Sequence, residues 1–114
     1  MKQLRQDEIQ EVLKLFNQRA AYWAGEGYIG AQVYEQLATD TELPENFETP
    51  VIAAILRVKP SAIAQRRKRG DPPSFIRAAQ NWVIYPRHAF CLFLRDRFVD
   101  RRPALAAPEY TTTA

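Results

Sequence analysis

Thr49-Pro50-Val51-Ile52-Ala53-Ala54-Ile55-Leu56-Arg57-Val58-Lys59-Pro60-Ser61-Ala62-Ile63-Ala64-Gln65-Arg66-Arg67-Lys68-Arg69-Gly70-Asp71-Pro72-Pro73 is the stretch on which the fold turns. Thr49-Pro50 reads as an N-cap with proline at the first helical position, where its missing N–H costs nothing and its fixed φ suits a helix start. Ile52, Ile55 and Leu56 then share one helical face. Pro60 disfavours the α region at Lys59, so this helix ends near Arg57 or Val58. A second helix, Pro60 to Arg69, is closed by Gly70 and barred from continuing by Pro72 and Pro73. Two short helices with a three-residue break make a helix-turn-helix reading natural.

Downstream the period changes. Phe75-Ile76-Arg77 and Trp82-Val83-Ile84-Tyr85 are rich in β-branched and aromatic residues, which predicts a small hairpin with Ala78-Ala79-Gln80-Asn81 as a four-residue loop. Pro86 opens a last helix, about Arg87 to Asp100, with Phe90, Phe93, Leu94 and Phe98 as its apolar stripe. Residues 103–114 have no periodicity and read as a disordered tail. Upstream, Ile9, Val12, Leu13, Phe16, Ala20 and Trp23 recur at the spacing of an amphipathic helix over Asp7 to Trp23, with Gly25 as its stop. A shorter helix is expected from Gly30 to Ala38, and Thr39 to Asn46 is a polar connector.

Much chemistry is excluded by composition. The 114 residues suit one small domain or one with an appendage, and an apolar share of 46% argues against wholesale disorder. One cysteine, Cys91, and one histidine, His88, leave no disulfide framework and no Cys/His zinc site within the chain. No nucleophile–base or paired-carboxylate constellation is evident, so the chain reads as a non-enzyme without cofactor, metal or small-molecule substrate. The N-terminal residues lack the apolar stretch of a secretory signal and no run is long enough to span a membrane, so a cytoplasmic location is expected.

The net charge of +3 conceals a division. Residues 1–50 carry four basic against nine acidic side chains, a net of −5, whereas residues 57–102 carry twelve against three, a net of +9. A basic stretch of this kind has the footprint of a polyanion binder.

The order helix, tight turn, helix, Gly-x-Pro-Pro, hairpin, tyrosine, helix resembles the MerR-like winged helix-turn-helix family, in particular the small excisionase- and AlpA-like proteins of phages and mobile elements. The likeness covers residues 47–102. It rests on Thr49-Pro50 with Ala53-Ala54, on Val58-Lys59-Pro60-Ser61-Ala62-Ile63, on Arg69-Gly70-Asp71-Pro72-Pro73-Ser74-Phe75, and on Val83-Ile84-Tyr85-Pro86-Arg87 with the aromatic helix after it. The resemblance implies a mainly α fold with a small β-hairpin wing; residues 1–46 lie outside the likeness and read, from their charge and periodicity, as an acidic helical extension. It also implies sequence-specific binding of double-stranded DNA, as a transcriptional regulator or an excisionase-like directionality factor. Two departures stand out. Arg66 and Arg67 occupy positions where the family carries bulky apolar groups; their stems can pack while the guanidinium groups reach out. The wing loop lacks its common glycine, for which Asn81 can substitute in a left-handed conformation.

Phosphate contacts position a DNA reader and base-edge contacts specify its site. On the helix 60–69, Ser61, Ala64, Gln65 and Lys68 fall on one face. Ser61 can reach a phosphate or a base edge, Gln65 can pair with adenine and Arg66 can read guanine. Lys59 and Arg69 flank the helix for phosphates, and by analogy with the family Arg77, Gln80 and Asn81 belong to the wing. Trp82 and Tyr85 read as core before they read as stacking groups. In the acidic half, Ile9, Val12, Phe16 and Trp23 are expected either to mediate dimerisation or another protein contact, or to brace the basic module from behind. The competing function is a phage structural or interaction protein, a terminase-small-subunit-like DNA recruiter or an inhibitor of a host nucleic-acid-binding complex, acting through the acidic half.

Overall fold

A computed structural model of the protein describes residues 5–99. Among them the element order is α1 (Gln6–Gly25), α2 (Ala31–Ala38), β1 (Asn46–Glu48), α3 (Thr49–Leu56), α4 (Pro60–Arg69), β2 (Ile76–Ala79), β3 (Trp82–Pro86) and α5 (Arg87–Arg97). The chain is thus mainly helical, with a small antiparallel sheet in the order β1-β3-β2. The expected tail over residues 103–114 lies outside the described residues.

The helix pair forms where proline and glycine dictate. α4 begins at Pro60 and ends on Gly70, whose φ of 76° is the left-handed conformation that closes a helix without strain. α3 closes on Arg57, which adopts φ 61° without the freedom of glycine, and the amide of Val58 returns to the carbonyl of Ala53 at 2.9 Å. The start of α3 corrects the expected cap. Glu48 is the extended cap residue, Thr49 is already helical and Pro50 follows it. The Thr49 hydroxyl accepts a hydrogen bond from Arg67 Nη1 at 3.2 Å instead of capping.

Four further expectations are corrected. Asn46 to Glu48 is a strand rather than the end of a connector, with Phe47 directly opposite Tyr85 on β3. The hairpin tip is two residues, Gln80-Asn81, because Ala79 pairs with Trp82; the irregularity is absorbed between Arg77 and Ala79. Arg57 is the non-glycine residue with positive φ among the described residues, so Asn81 does not take the left-handed role. Finally, α5 stops at Arg97, and Phe98 is extended. Its ring lies 3.0 Å from where a Cβ at Gly30 would sit, so the glycine at φ 57° admits the close approach.

The core draws on both halves of the chain. Phe16 from α1 meets Phe47 edge to face at 6.1 Å, and Phe47 meets Phe90 at 5.8 Å. Leu37, Ile52, Ile63, Tyr85 and Cys91 complete the same buried cluster. Phe16 is therefore a core residue, not part of a docking stripe, and Ile9, Val12 and Trp23 are half-buried against that core. Arg87 ties the halves together. Its guanidinium donates to the carbonyls of Ala38 at 3.2 Å and Leu43 at 3.0 Å, and its own N–H donates to Glu45 at 2.7 Å. At the other end of α5, Arg95 Nη1 reaches Glu35 on α2 at 3.5 Å.

Asp40 is the buried carboxylate of the core rim. It accepts from Arg19 Nε at 2.7 Å, Trp23 Nε1 at 2.8 Å and the Glu42 N–H at 2.9 Å. Burial pushes its pKa up, but these hydrogen bonds outweigh burial and hold the carboxyl below its ordinary value. Protonation is then harder in the folded chain than in the unfolded one. The network contributes fully above the ordinary carboxylate pKa of about 3.9 and is lost as pH falls through the lower folded value. Asp40→Asn is expected to lose stability at neutral pH and to flatten the acid limb. Urea unfolding across that range checks both effects, and a parallel loss in the two proteins at low pH would exclude Asp40 as the titrating group.

Candidate nucleic-acid interface

Helical geometry decides which side of α4 is available. Ile63 is buried and fixes the inward direction, so Ser61, Gln65 and Lys68, at i, i+4 and i+7, project the other way and are exposed. Lys59 precedes the helix and is exposed, as are Arg77, Gln80 and Asn81 on the hairpin. Ala64 is half-buried at the margin of this face. Lys59, Ser61, Gln65 and Lys68 have no side-chain hydrogen bond or ion pair among the described residues, so all four can meet a ligand without breaking an internal contact. Arg69 is exposed and pairs with Asp71 at 3.0 Å, a surface ion pair whose exchange for another anion is inexpensive. The Arg77 guanidinium lies 5.9 Å from the Phe75 ring centroid.

Arg66 and Arg67 depart from the sequence expectation. Arg66 is half-buried, donates from Nε to the Pro72 carbonyl at 2.7 Å and lies 5.8 Å from the centroid of Phe93. Its guanidinium is thereby held on the protein at the α5 flank of α4. Arg67 turns inward more completely. Its Nη1 donates to the hydroxyls of Tyr85 at 2.8 Å and Thr49 at 3.2 Å, and its guanidinium lies 6.0 Å from the Phe75 ring centroid. Arg67 thus links α3, α4, β3 and the hairpin entry, doing with hydrogen bonds what a bulky apolar group would do by packing. Its signal in the sequence was the very departure from an apolar residue, paired with a tyrosine eighteen positions away.

Arg67→Ala is expected to destabilise the chain by about 1–3 kcal/mol, because the Tyr85 hydroxyl is left buried without this donor. Arg67→Lys should recover little of that loss, since an ammonium cannot reproduce the planar fork. Denaturant unfolding of the two variants measures it; wild-type stability for Arg67→Ala would reassign the group to the surface.

No known family model, curated protein or solved structure matches this chain.

Tyr85 is fully buried, in accord with its reading as core, whereas Trp82 beside the hairpin tip is 40% exposed. The Cys91 thiol is buried between helices and its pKa is pushed up to about 12 by that burial, which keeps it protonated and unreactive. Among the described residues no group of three His, Cys, Asp or Glu side chains could hold a metal ion, and no helix is long and apolar enough to cross a membrane. Arg87 and Arg95, counted in the basic stretch, are engaged with the acidic half, and Arg101 and Arg102 lie outside the described residues. The cations left for a candidate interface are therefore a subset: Lys59, Lys68, Arg69 and Arg77, with Arg57 exposed at the turn and Arg97 exposed at the end of α5.

Proposed function

We propose that the chain is a sequence-specific double-stranded DNA-binding protein of the winged helix-turn-helix kind. α4 enters the major groove and the β2–β3 hairpin serves as the wing. One observation carries this reading: α4 presents Ser61, Gln65 and Lys68 outward together, free of internal partners, while its buried side anchors it through Ile63 and Arg67. A helix held rigidly on one side and lined with an amide, a hydroxyl and cations on the other suits groove recognition, with the flanking cations on phosphates. The role as transcriptional regulator or excisionase-like directionality factor rests on the MerR-like resemblance of residues 47–102.

The shared core prescribes the whole chain for the test, because residues 47–102 alone would lack Phe16, Leu37, Ala38 and Leu43. Selection from a random-sequence duplex pool, followed by anisotropy titration, should enrich a defined site. If four or five phosphates are contacted, log affinity should fall with log salt with a slope of about −4. Failure to bind any duplex at low salt, or binding without enrichment, would overturn the reading.

A further inference from the structure

We propose that the groove between α4 and α5 binds a small amphipathic organic anion, a carboxylate with an apolar body, and that its occupancy weakens DNA binding by α4. The second clause rests on the DNA-binding reading above; the first stands without it.

The groove encloses about 330 Å³. Its floor is apolar, built from Leu56, Ile63 and Phe93, and Val58, 44% exposed, stands on its wall. Arg66, Arg69 and Arg97 line it together with Gln65, and no carboxylate side chain does. The Phe93 ring has two cations about it, Arg66 at 5.8 Å and Arg97 at 4.9 Å from its centroid. Arg66 is restrained through Nε by the Pro72 carbonyl, and Arg69 keeps an exposed ion pair with Asp71 through its Nε. The terminal nitrogens of both, which have no partner among the described residues, are left for a bidentate acceptor. Prepositioned donors bind with less ordering cost than free ones.

The chemistry of the lining selects its occupant. A neutral apolar molecule would cover guanidinium groups without satisfying them, and an inorganic anion would leave the apolar floor wet. A carboxylate with a short aliphatic or aromatic body answers both halves. The volume sits at the lower end of the roughly 300–1,000 Å³ typical of small-ligand sites, which limits the body to a short one. Coupling to DNA follows from shared residues. Gln65 and Arg69 line the groove and also belong to the outward side of α4, so a bound anion neutralises a cation that would otherwise meet phosphate and places negative charge beside the duplex.

Octanoate is a suitable probe, with butyrate (the same charge with four methylenes of the body removed) and 1-octanol (body without the charge) as controls. The whole chain, labelled with nitrogen-15, is titrated with each, and affinity is taken from amide shifts and calorimetry. Octanoate should bind saturably with shifts centred on Val58, Ala62, Gln65 and Arg97, and both controls should bind at least about tenfold more weakly. Val58→Glu and Arg97→Gln, both at exposed positions, should each weaken octanoate about tenfold with unchanged melting temperature. At constant ionic strength, saturating octanoate should raise the Kd for the selected duplex by about fivefold or more, and the duplex should weaken octanoate by the same factor. Absence of saturable octanoate binding, equal binding of butyrate, or wild-type octanoate affinity in Val58→Glu would overturn the site. Octanoate binding with unchanged duplex affinity would overturn the coupling. A chain that binds octanoate but no duplex would refute the DNA-binding reading while upholding the groove.

Discussion

Phe16→Glu is expected to unfold the chain, and Phe16→Ala to lower its stability by about 3–5 kcal/mol. The side chain is 4% exposed and its ring rests edge-on against Phe47, which in turn touches Phe90. An ionised carboxylate there would have neither water nor a partner, a penalty comparable with the roughly 5–15 kcal/mol by which small proteins are stable. Ile9→Glu provides the contrast. Ile9 lies in the second turn of α1 and is only half-buried, so its charged variant should stay folded with a smaller loss. Circular dichroism and urea unfolding distinguish these outcomes. If Phe16→Glu instead remains folded at wild-type stability and only changes its sedimentation coefficient, α1 is an intermolecular helix and the shared core is wrong. Unfolding would support the brace alternative for the acidic half, in which Ile9, Val12, Phe16 and Trp23 are occupied within their own chain.

That stripe shows what a sequence can and cannot convey. The periodicity of Ile9, Val12, Phe16 and Trp23 located the helix and its apolar side, yet the same pattern serves an internal brace and an oligomer interface. Only the position of Phe47 and Leu37 opposite it separates them. The bounds of α4 were legible because Pro60 and Gly70 act through local sterics, and the outward set Ser61, Gln65 and Lys68 follows from helical arithmetic once those bounds are known. β1 was not legible: three residues with one apolar side chain make a strand only because β3, about forty residues on, pairs with them. The roles of Arg66, Arg67 and Arg87 were hidden for the same reason. A run of arginines near a helix end gives no sign of which guanidinium finds a tyrosine hydroxyl or a carbonyl, since those acceptors are supplied by distant segments.

The internal engagement of Arg66 and Arg67 sharpens what mutation of α4 should do. Gln65→Ala is expected to change which duplex is preferred, with about 1–3 kcal/mol of discrimination lost at one base pair and little change on random DNA. Lys59→Ala combined with Lys68→Ala should weaken selected and random duplexes alike, on the order of tenfold to a hundredfold, and make the salt slope shallower by about 2. Neither change should lower stability measurably, since these side chains are exposed and make no side-chain hydrogen bond or ion pair among the described residues. Arg66→Ala serves as the internal control. Its guanidinium is bound to Pro72 and lies against Phe93, so the variant should lose stability and leave the ranking of duplexes as it was. Anisotropy titrations of the selected duplex and of single-base variants, with parallel urea curves, separate the two kinds of effect. Equal loss on selected and random DNA for Gln65→Ala would remove α4 from base reading. A change of preferred sequence in Arg66→Ala at wild-type stability would move the reading face of α4 round toward α5, and with it the side of the helix that faces the groove floor.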